Sequence, residues 1–368
     1  MLFENIPVMP IQQMLGSPFG RSEHKLGPVW PDWDNAGSVR FFRKGKPKDD
    51  KPWVGPNTPF RYKTGKYVWC GPIVNHFGHQ IADFCTRIAV YRDYGCTYLF
   101  SVRKGQGFSY EDVPLFLKQI FEWFGINSSD ILFVEQPIIV EKLYVEQQQE
   151  HLPQEGPSDE YLDILDDNTT RNGLFSQHKS GAYYISRAGM LKGMLAGERY
   201  IENIMQANGI TVIKPECLPL KEQLAIYAQA ETLIFSEGSA IHGLQLLGRM
   251  NCNVRILKRR PNVLMAKGLL TPRTKELTYH DIGYLVAGLR ADGSPATDAG
   301  ITICDKEKVK EFICSQGLSI RGWDDEAFMA DVRADVKIFL DAEKCHVRSQ
   351  VQGHFDTILA KLQAYELI

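Results

Sequence analysis

Apolar and polar positions fall into two successive sets of alternating short strands and amphipathic helices. From Tyr67 the apolar run YVWC precedes a helical stretch from about Gly78 to Tyr94. The strand-like CTYLFSV, a helix around EDVPLFLKQIFEWFG, and two more strands, ILFV and PIIVEKLYV, follow. This alternation predicts a βαβ sheet covered by helices. A polar, acidic stretch (EQQQEHLPQEGPSDE through DILDDNTTRNG) then predicts a domain junction. The second set starts at AYYIS and continues with a helix near Glu198 to Asn208, ITVI, a helix from Leu220 to Ala230, TLIFS, a helix from about Ser239, and NVRIL.

The expected fold is therefore α/β, with two Rossmann-like domains, 67–178 and 179–323, facing a cleft. Ligands of such sheets bind where strand carboxyl ends feed helix N-termini, so the cleft is the expected site. Residues 1–66, rich in Pro, Gly, Trp and charge, predict an irregular arm laid over the first domain. In the expected C-terminal helical tail, 324–368, Phe328, Val332, Val336, Phe339, Val347, Val351, Phe355 and Leu359 recur by threes and fours as one apolar stripe. That spacing predicts a packing helix or helix pair.

Composition narrows the class. The 368 residues are 44% hydrophobic and 23% charged, with a net charge of −2, which excludes disorder and allows two sizeable cores. So balanced a charge argues against a protein held to nucleic acid by phosphate neutralisation; only the clusters Lys44 to Lys51 and Lys258 to Arg260 are basic. MLFENIPVMPIQQML lacks the basic start and apolar core of a signal peptide, and no apolar run reaches a membrane span. The eight cysteines include no CxxC pair and are expected as reduced, mostly buried thiols of a cytoplasmic protein.

Three segments could carry chemistry. In NHFGHQIADFCTR, His76, His79 and Asp83 lie three and then four apart, on one face if helical, with Arg87 a turn further on. His or Asp could serve as general base; the three could hold a metal, though without the HExxH spacing of the zinc helix; or Arg87 could pair with Asp83 as scaffolding. In LIFSEGSAIHGLQLLG, Gly238, Ser239 and Ala240 could bring backbone N–H groups to a phosphate at a helix start. Glu237 could then accept from ribose hydroxyls, with His242 one turn in. The same residues could instead merely cap the helix. Finally, the strand YYIS ends in Ser186 and Arg187, with Lys192 and Arg199 beyond, and arginine suits bidentate phosphate contact.

Together and in this order the segments resemble glycosyltransferase family 61, the group that includes plant xylan arabinosyl- and xylosyltransferases, animal O-linked N-acetylglucosaminyltransferases and bacterial polysaccharide-biosynthesis proteins. NHFGHQIADFCTR is similar to the family's N-x-x-H-W-x-x-D-x-x-P-R block, through Asn75, His79, Asp83 and Arg87. YYISRAGMLKGMLAGERYIENIMQANGITVI is similar to its Y-I-S-R … R-x-x-x-N-E stretch, and LPLKEQLAIYAQAETLIFSEGSAIHGLQLL to its E-Q … H-G-A … N stretch. The likeness covers about 70 to 94 and 180 to 250, roughly a quarter of the chain. Gln80 replaces the family's tryptophan, Gly197-Glu198 its Asn-Glu pair, and Gly238-Ser239-Ala240 its H-G-A, with a histidine only at His242.

The resemblance implies a divergent bacterial branch acting in capsule or exopolysaccharide biosynthesis. It implies a GT-B arrangement with an N-terminal acceptor domain and a C-terminal nucleotide-sugar domain. The reaction implied is an inverting, metal-independent transfer to a glycan acceptor, with no cofactor and a donor expected to be UDP-linked. Asp83 is the expected base, with His79 orienting it or sharing the proton. Ser186, Arg187, Glu237, Gly238, Ser239 and His242 are the expected donor contacts, and Asn75, His76 and Arg87 are acceptor-side or structural. Nucleic acid is not an expected partner; a cytoplasmic site at the inner membrane face is compatible. An acyl- or pyruvyl-type transferase on the same polysaccharides and a non-catalytic glycan-binding relative are the alternatives.

Overall fold

A computed structural model describes residues 1–14, 24–43, 46–151, 156–174 and 179–368. Part of the expected junction, the 178/179 boundary and Lys44 of the first basic cluster lie outside the described residues.

Seven strands form the first sheet, in the spatial order Asp49–Asp50, His24–Pro28, Leu2–Gln13, Ile138–Tyr144, Arg61–Pro72, Thr97–Ser101, Ile131–Val134. Arg61–Pro72 runs parallel to both Thr97–Ser101 and Ile138–Tyr144, as the βαβ pattern predicts. The N-terminal segment departs from the expected irregular arm. Leu2–Gln13 is an antiparallel strand inside the sheet, and Ile6, Val8 and Trp30 belong to its core. Its prolines hide this in the sequence. They are tolerated because the strand changes partner: Leu2 to Val8 pair with Ile138–Tyr144, and Val8 to Gln13 pair with His24–Pro28.

The second sheet has five strands, ordered Thr211–Ile213, Ala182–Ile185, Thr232–Ser236, Asn253–Lys258, Glu276–Asp281, and every pairing is parallel. Its near-continuous apolar strands, such as TLIFS, suit a sheet covered on both faces. Their carboxyl ends release loops that begin at Ser186, Lys214, Glu237 and Arg259 on one side of the sheet.

The two sheets share a core. Val68 and Phe100 of the first sheet and Leu233, Phe235 and Val254 of the second lie in one continuous apolar cluster. Helices Leu115–Trp123 and Leu220–Gln229 pack on each other within it. The Trp123 indole donates to the Leu246 carbonyl across the seam, at 3.1 Å.

The C-terminal helices are no loose tail. Phe328, Val332, Val336 and Phe339, on helix Asp325–Cys345, are buried in a second core with Leu195 and Ala196. The predicted stripe fails further on: Ile358 and Leu362 are buried, while Val347 is exposed and Phe355 and Leu359 are half-buried. The helix ends at Cys345, and a new one starts after Gly353, in a left-handed conformation with φ 72°, so the phase is reset. Among the described residues no helix is long and apolar enough to cross a membrane. All eight cysteines are free; Cys70, Cys85, Cys96, Cys252 and Cys304 are buried, and Cys217, Cys314 and Cys345 are exposed.

Candidate active site

A cleft of about 1420 Å³ opens at the carboxyl ends of the second sheet and is closed on its far side by the segment that follows Arg61–Pro72. It is strongly cationic. Arg43 and Lys48 enter from the first sheet's side and Arg187, Lys192, Arg259, Arg260 and Arg290 from the other, against Glu216 and Asp298. Away from these charges the wall is apolar, with Phe77, Leu115, Phe116, Leu218, Val263 and Leu264.

The predicted helix from Gly78 is realised irregularly. Phe77–His79 makes one α-turn, capped by His76, whose Nδ1 accepts from the His79 N–H at 3.2 Å. Gln80–Phe84 then widens into a π-turn, and Cys85–Arg87 tightens into a 3₁₀ turn. Such π insertions recur at functional sites because they re-aim side chains. Here His79 faces the cleft, and Asp83, 9% exposed, stands behind it outside the cleft wall. Asp83 Oδ2 lies 3.1 Å from His79 Nδ1, and Arg43 Nη2 lies 2.8 Å from the same nitrogen and 3.6 Å from Asp83. Asp83 accepts when Nδ1 carries the proton, which leaves Nε2 its lone pair; Arg43, which only donates, is served when Nδ1 is bare and the proton is on Nε2.

The companion residues divide cleanly. His76 lines the cleft, its ring centroid 4.5 Å from that of His79, whereas Asn75 is exposed outside the cleft wall. Arg87 is 1% exposed and does not pair with Asp83. Its Nη2 donates to the carbonyls of Val39 and Arg40 at 3.0 Å each, and its guanidinium lies over Phe41. Burial lowers its pKa to about 10. Arg87 thus ties the segment to the 3₁₀ turn Gly37–Val39 and its flanking Arg40. Among the described residues no group of three His, Cys, Asp or Glu side chains is placed to hold a metal ion.

On the opposite wall, strand Thr232–Ser236 ends at Glu237 and Gly238, and an eight-residue 3₁₀ helix, Ser239–Leu246, begins. Gly238 is fully extended, so it is not needed there for its backbone freedom. It is needed for space: a Cβ would overlap the Arg187 guanidinium. Gly78 plays a similar part, since a Cβ there would come within 2.9 Å of the His242 ring, and so the two walls meet closely. Ser239 and Ala240 both line the cleft, with N–H groups at a helix start that have no intrahelical acceptor.

Arg187 is placed by Glu198. The Glu198 carboxylate accepts from the Arg187 N–H at 2.9 Å, from the Tyr184 hydroxyl at 3.0 Å and from the Ser236 hydroxyl, and Ser186 approaches at 3.4 Å. Burial raises the Glu198 pKa above the usual carboxylate value. The Arg187 side chain donates from Nη2 to the Lys192 carbonyl at 2.8 Å, while its buried Nε has no partner. Burial lowers its pKa, and Arg260 adds like-charge repulsion.

Glu237 does not sit as a ribose acceptor. It is wholly buried and accepts from the backbone N–H groups of Arg259, at 2.8 Å, and Arg260, at 3.1 Å, and from Arg260 Nε at 2.6 Å. Its role in this geometry is to hold the two arginines at the mouth of strand Asn253–Lys258. Burial, and next the Arg260 charge, lower Arg259 to about 10. The cluster is therefore short of negative charge.

His242 lines the cleft and is 3% exposed, and burial lowers its pKa to about 4. The cleft residues Arg43, Arg259, Arg260 and Arg290 and the polar support Glu150, Gln245 and Arg273 were not singled out as site residues by the sequence. Only the basic run Lys258 to Arg260 gave a signal; the rest are isolated residues far apart in the chain.

Residues 77–254 match the family model described as Glycosyltransferase 61. No curated protein matches the chain. The matched stretch contains residues from both walls of the cleft, His79 on one side and Arg187, Gly238 and His242 on the other, but not Arg43, Arg259, Arg260 or Arg290. Over this stretch, just under half of its length, the chain is similar to glycosyltransferase family 61.

Proposed function

We propose that the cleft binds a nucleoside-diphosphate sugar and transfers its sugar, with inversion and without a metal, to a glycan hydroxyl. The observation that carries this reading is the position of the Arg187 guanidinium. It lies flush on Gly238 at the start of helix Ser239–Leu246, bordered by Arg259 and Arg260, with His79 on the facing wall. A diphosphate seated there would meet fixed cations and free N–H donors, the two features that stabilise charge developing on a leaving group.

The chemistry follows from the two walls. The bond between the anomeric carbon and the diphosphate oxygen breaks, and its electron pair stays on the diphosphate, next to the arginines. An acceptor hydroxyl attacks the opposite face of the carbon and gives its proton to a base. His79 is the better candidate than Asp83, because it faces the cleft while Asp83 stands behind it, 3.1 Å from Nδ1. The apolar wall formed by Leu115, Leu218 and Leu264 suits a nucleobase or the nonpolar face of a sugar.

Incubation with nucleotide sugars and glycan acceptors, with release of nucleoside diphosphate followed by a coupled assay, tests this reading. Turnover dependent on both substrates and abolished in His79→Ala is expected. Turnover unaffected by His79→Ala would reject the assignment of the base. A further expectation is that the acceptor belongs to a bacterial capsule or exopolysaccharide, which the same assay reads with such glycans.

A further inference from the structure

Behind His242 runs a buried chain of polar groups whose directionality is fixed. Arg273 and Glu150 form an ion pair in which both side chains are fully buried, with contacts of 2.7 and 3.1 Å to the two carboxylate oxygens. Glu150 Oε1 accepts from Gln245 Nε2 at 3.0 Å, and Gln245 Oε1 lies 2.6 Å from His242 Nδ1. A carboxylate paired with a guanidinium only accepts, so it must meet the amide's NH₂ end. The amide oxygen is thereby turned toward His242, and it too only accepts. Nδ1 must therefore carry the proton, and Nε2 is left with a lone pair.

That lone pair is open to the cleft. Nε2 has no protein partner among the described residues, yet it is not one of the buried orphan atoms, so it keeps accessible surface in a residue that lines the cleft. Its location is specific: the ring packs against Gly78, one residue before His79, and rises from the helix that starts at Ser239. It lies between the proposed diphosphate cradle and the proposed base, where the transferred sugar would sit. Burial keeps the ring from charging near neutrality, with the pKa at about 4.

We infer that Arg273, Glu150 and Gln245 are positioning residues that lock His242 as the Nδ1–H tautomer, so that Nε2 accepts a hydrogen bond from a hydroxyl of the donor sugar. A lone pair without a proton rejects a donor that lacks a hydroxyl at that point. The site would therefore select hydroxylated over deoxygenated sugars at one ring position, because the unpaired Nε2 would otherwise be desolvated for nothing. The hydroxyl contact rests on the nucleotide-sugar reading above; the tautomer lock does not.

Two measurements test it. Long-range ¹⁵N–¹H correlation spectra of the histidine-labelled wild-type protein at pH 7 should show His242 with Nδ1 protonated and Nε2 bare, and Gln245→Met should lose that preference. An Nε2–H or doubly protonated ring in the wild type would overturn the lock without any variant being made. Calorimetric titration with UDP and GDP, and with UDP-glucose and GDP-mannose, then reads the sugar contact. His242→Phe should bind the nucleoside diphosphate as the wild type does but lose about threefold to tenfold of the extra affinity the sugar confers, and His242→Asn should recover part of it. An unchanged sugar increment would overturn the hydroxyl contact. No binding of any nucleotide, with the Nδ1–H tautomer still observed, would overturn the donor reading and the contact with it while upholding the lock.

Discussion

The Arg187 guanidinium rests on Gly238 so closely that the glycine hydrogen occupies the space a methyl group would need. The contact joins the ends of two adjacent parallel strands, Ala182–Ile185 and Thr232–Ser236, and holds a cation at the start of a helix. Because Gly238 is extended, Gly238→Ala introduces no backbone strain and acts only by displacing Arg187. It is expected to cost about 1–3 kcal/mol of stability, as overpacking does, and to abolish nucleotide binding. Adding the methyl to Arg187→Ala should cost less, with a coupling of about 0.5–3 kcal/mol measured in a double-mutant cycle by urea denaturation. Strict additivity would contradict the contact.

Glu198 gives a pH-dependent prediction. Its folded pKa is raised by burial above the 4.5 of an unperturbed glutamate, so the folded state binds its proton more tightly than the unfolded state. Its contribution is fully present below pH 4.5 and is lost as pH rises through the raised folded pKa. The stability of the wild type relative to Glu198→Gln should therefore fall as pH increases above that value, measured by denaturation of both proteins at matched pH. Glu198→Gln should also weaken nucleotide binding, since the Arg187 N–H and the Tyr184 and Ser236 hydroxyls all converge on Oε1, and a neutral amide oxygen holds them less strongly than a carboxylate.

His79 and Asp83 should separate in their effects. His79→Ala is expected to lower transfer by roughly 10²–10⁴-fold, the usual share of a general base, while nucleotide binding persists. Asp83→Asn should reduce the rate by less, because it removes the partner of Nδ1 and leaves the ring in the cleft. A larger loss in Asp83→Asn than in His79→Ala, from steady-state kinetics of both, would return the base role to Asp83.

Cys217 is exposed and lines the cleft, whereas Cys314 and Cys345 are exposed outside it. A nucleoside diphosphate in the cleft should slow alkylation of Cys217 and leave the other two unchanged, as read by peptide mass spectrometry. Equal protection of all three would point to a global change instead.

The continuous core across the two sheets predicts one cooperative unfolding transition, with equal calorimetric and van't Hoff enthalpies. Two resolved transitions would show that the sheets are independent domains.

Much of this was legible in the sequence because the strands are short, apolar and separated by helix-length segments. YVWC, TLIFS and NVRIL all lie in the strands they predicted, and Arg187, Gly238 and Ser239 line one cleft. Leu2–Gln13 was not legible, since a strand that changes partner midway tolerates the prolines that normally argue against one. Nor was Glu237's occupation by Arg259 and Arg260, because a carboxylate at a strand end looks the same whether it meets a ligand or a neighbouring loop. The order of Asp83 behind His79 depends on a π-turn that side-chain spacing does not encode.

The central claim is a diphosphate site built on Arg187. Its most direct test is thermal unfolding of the wild type and Arg187→Ala with UDP, GDP and coenzyme A. One nucleoside diphosphate should stabilise the wild type, by about 2.7 kcal/mol at a hundredfold excess over Kd. Arg187→Ala should fold but show little or none of that shift. Equal stabilisation of the two proteins, a response to coenzyme A alone, or no response to any of the three would contradict the account.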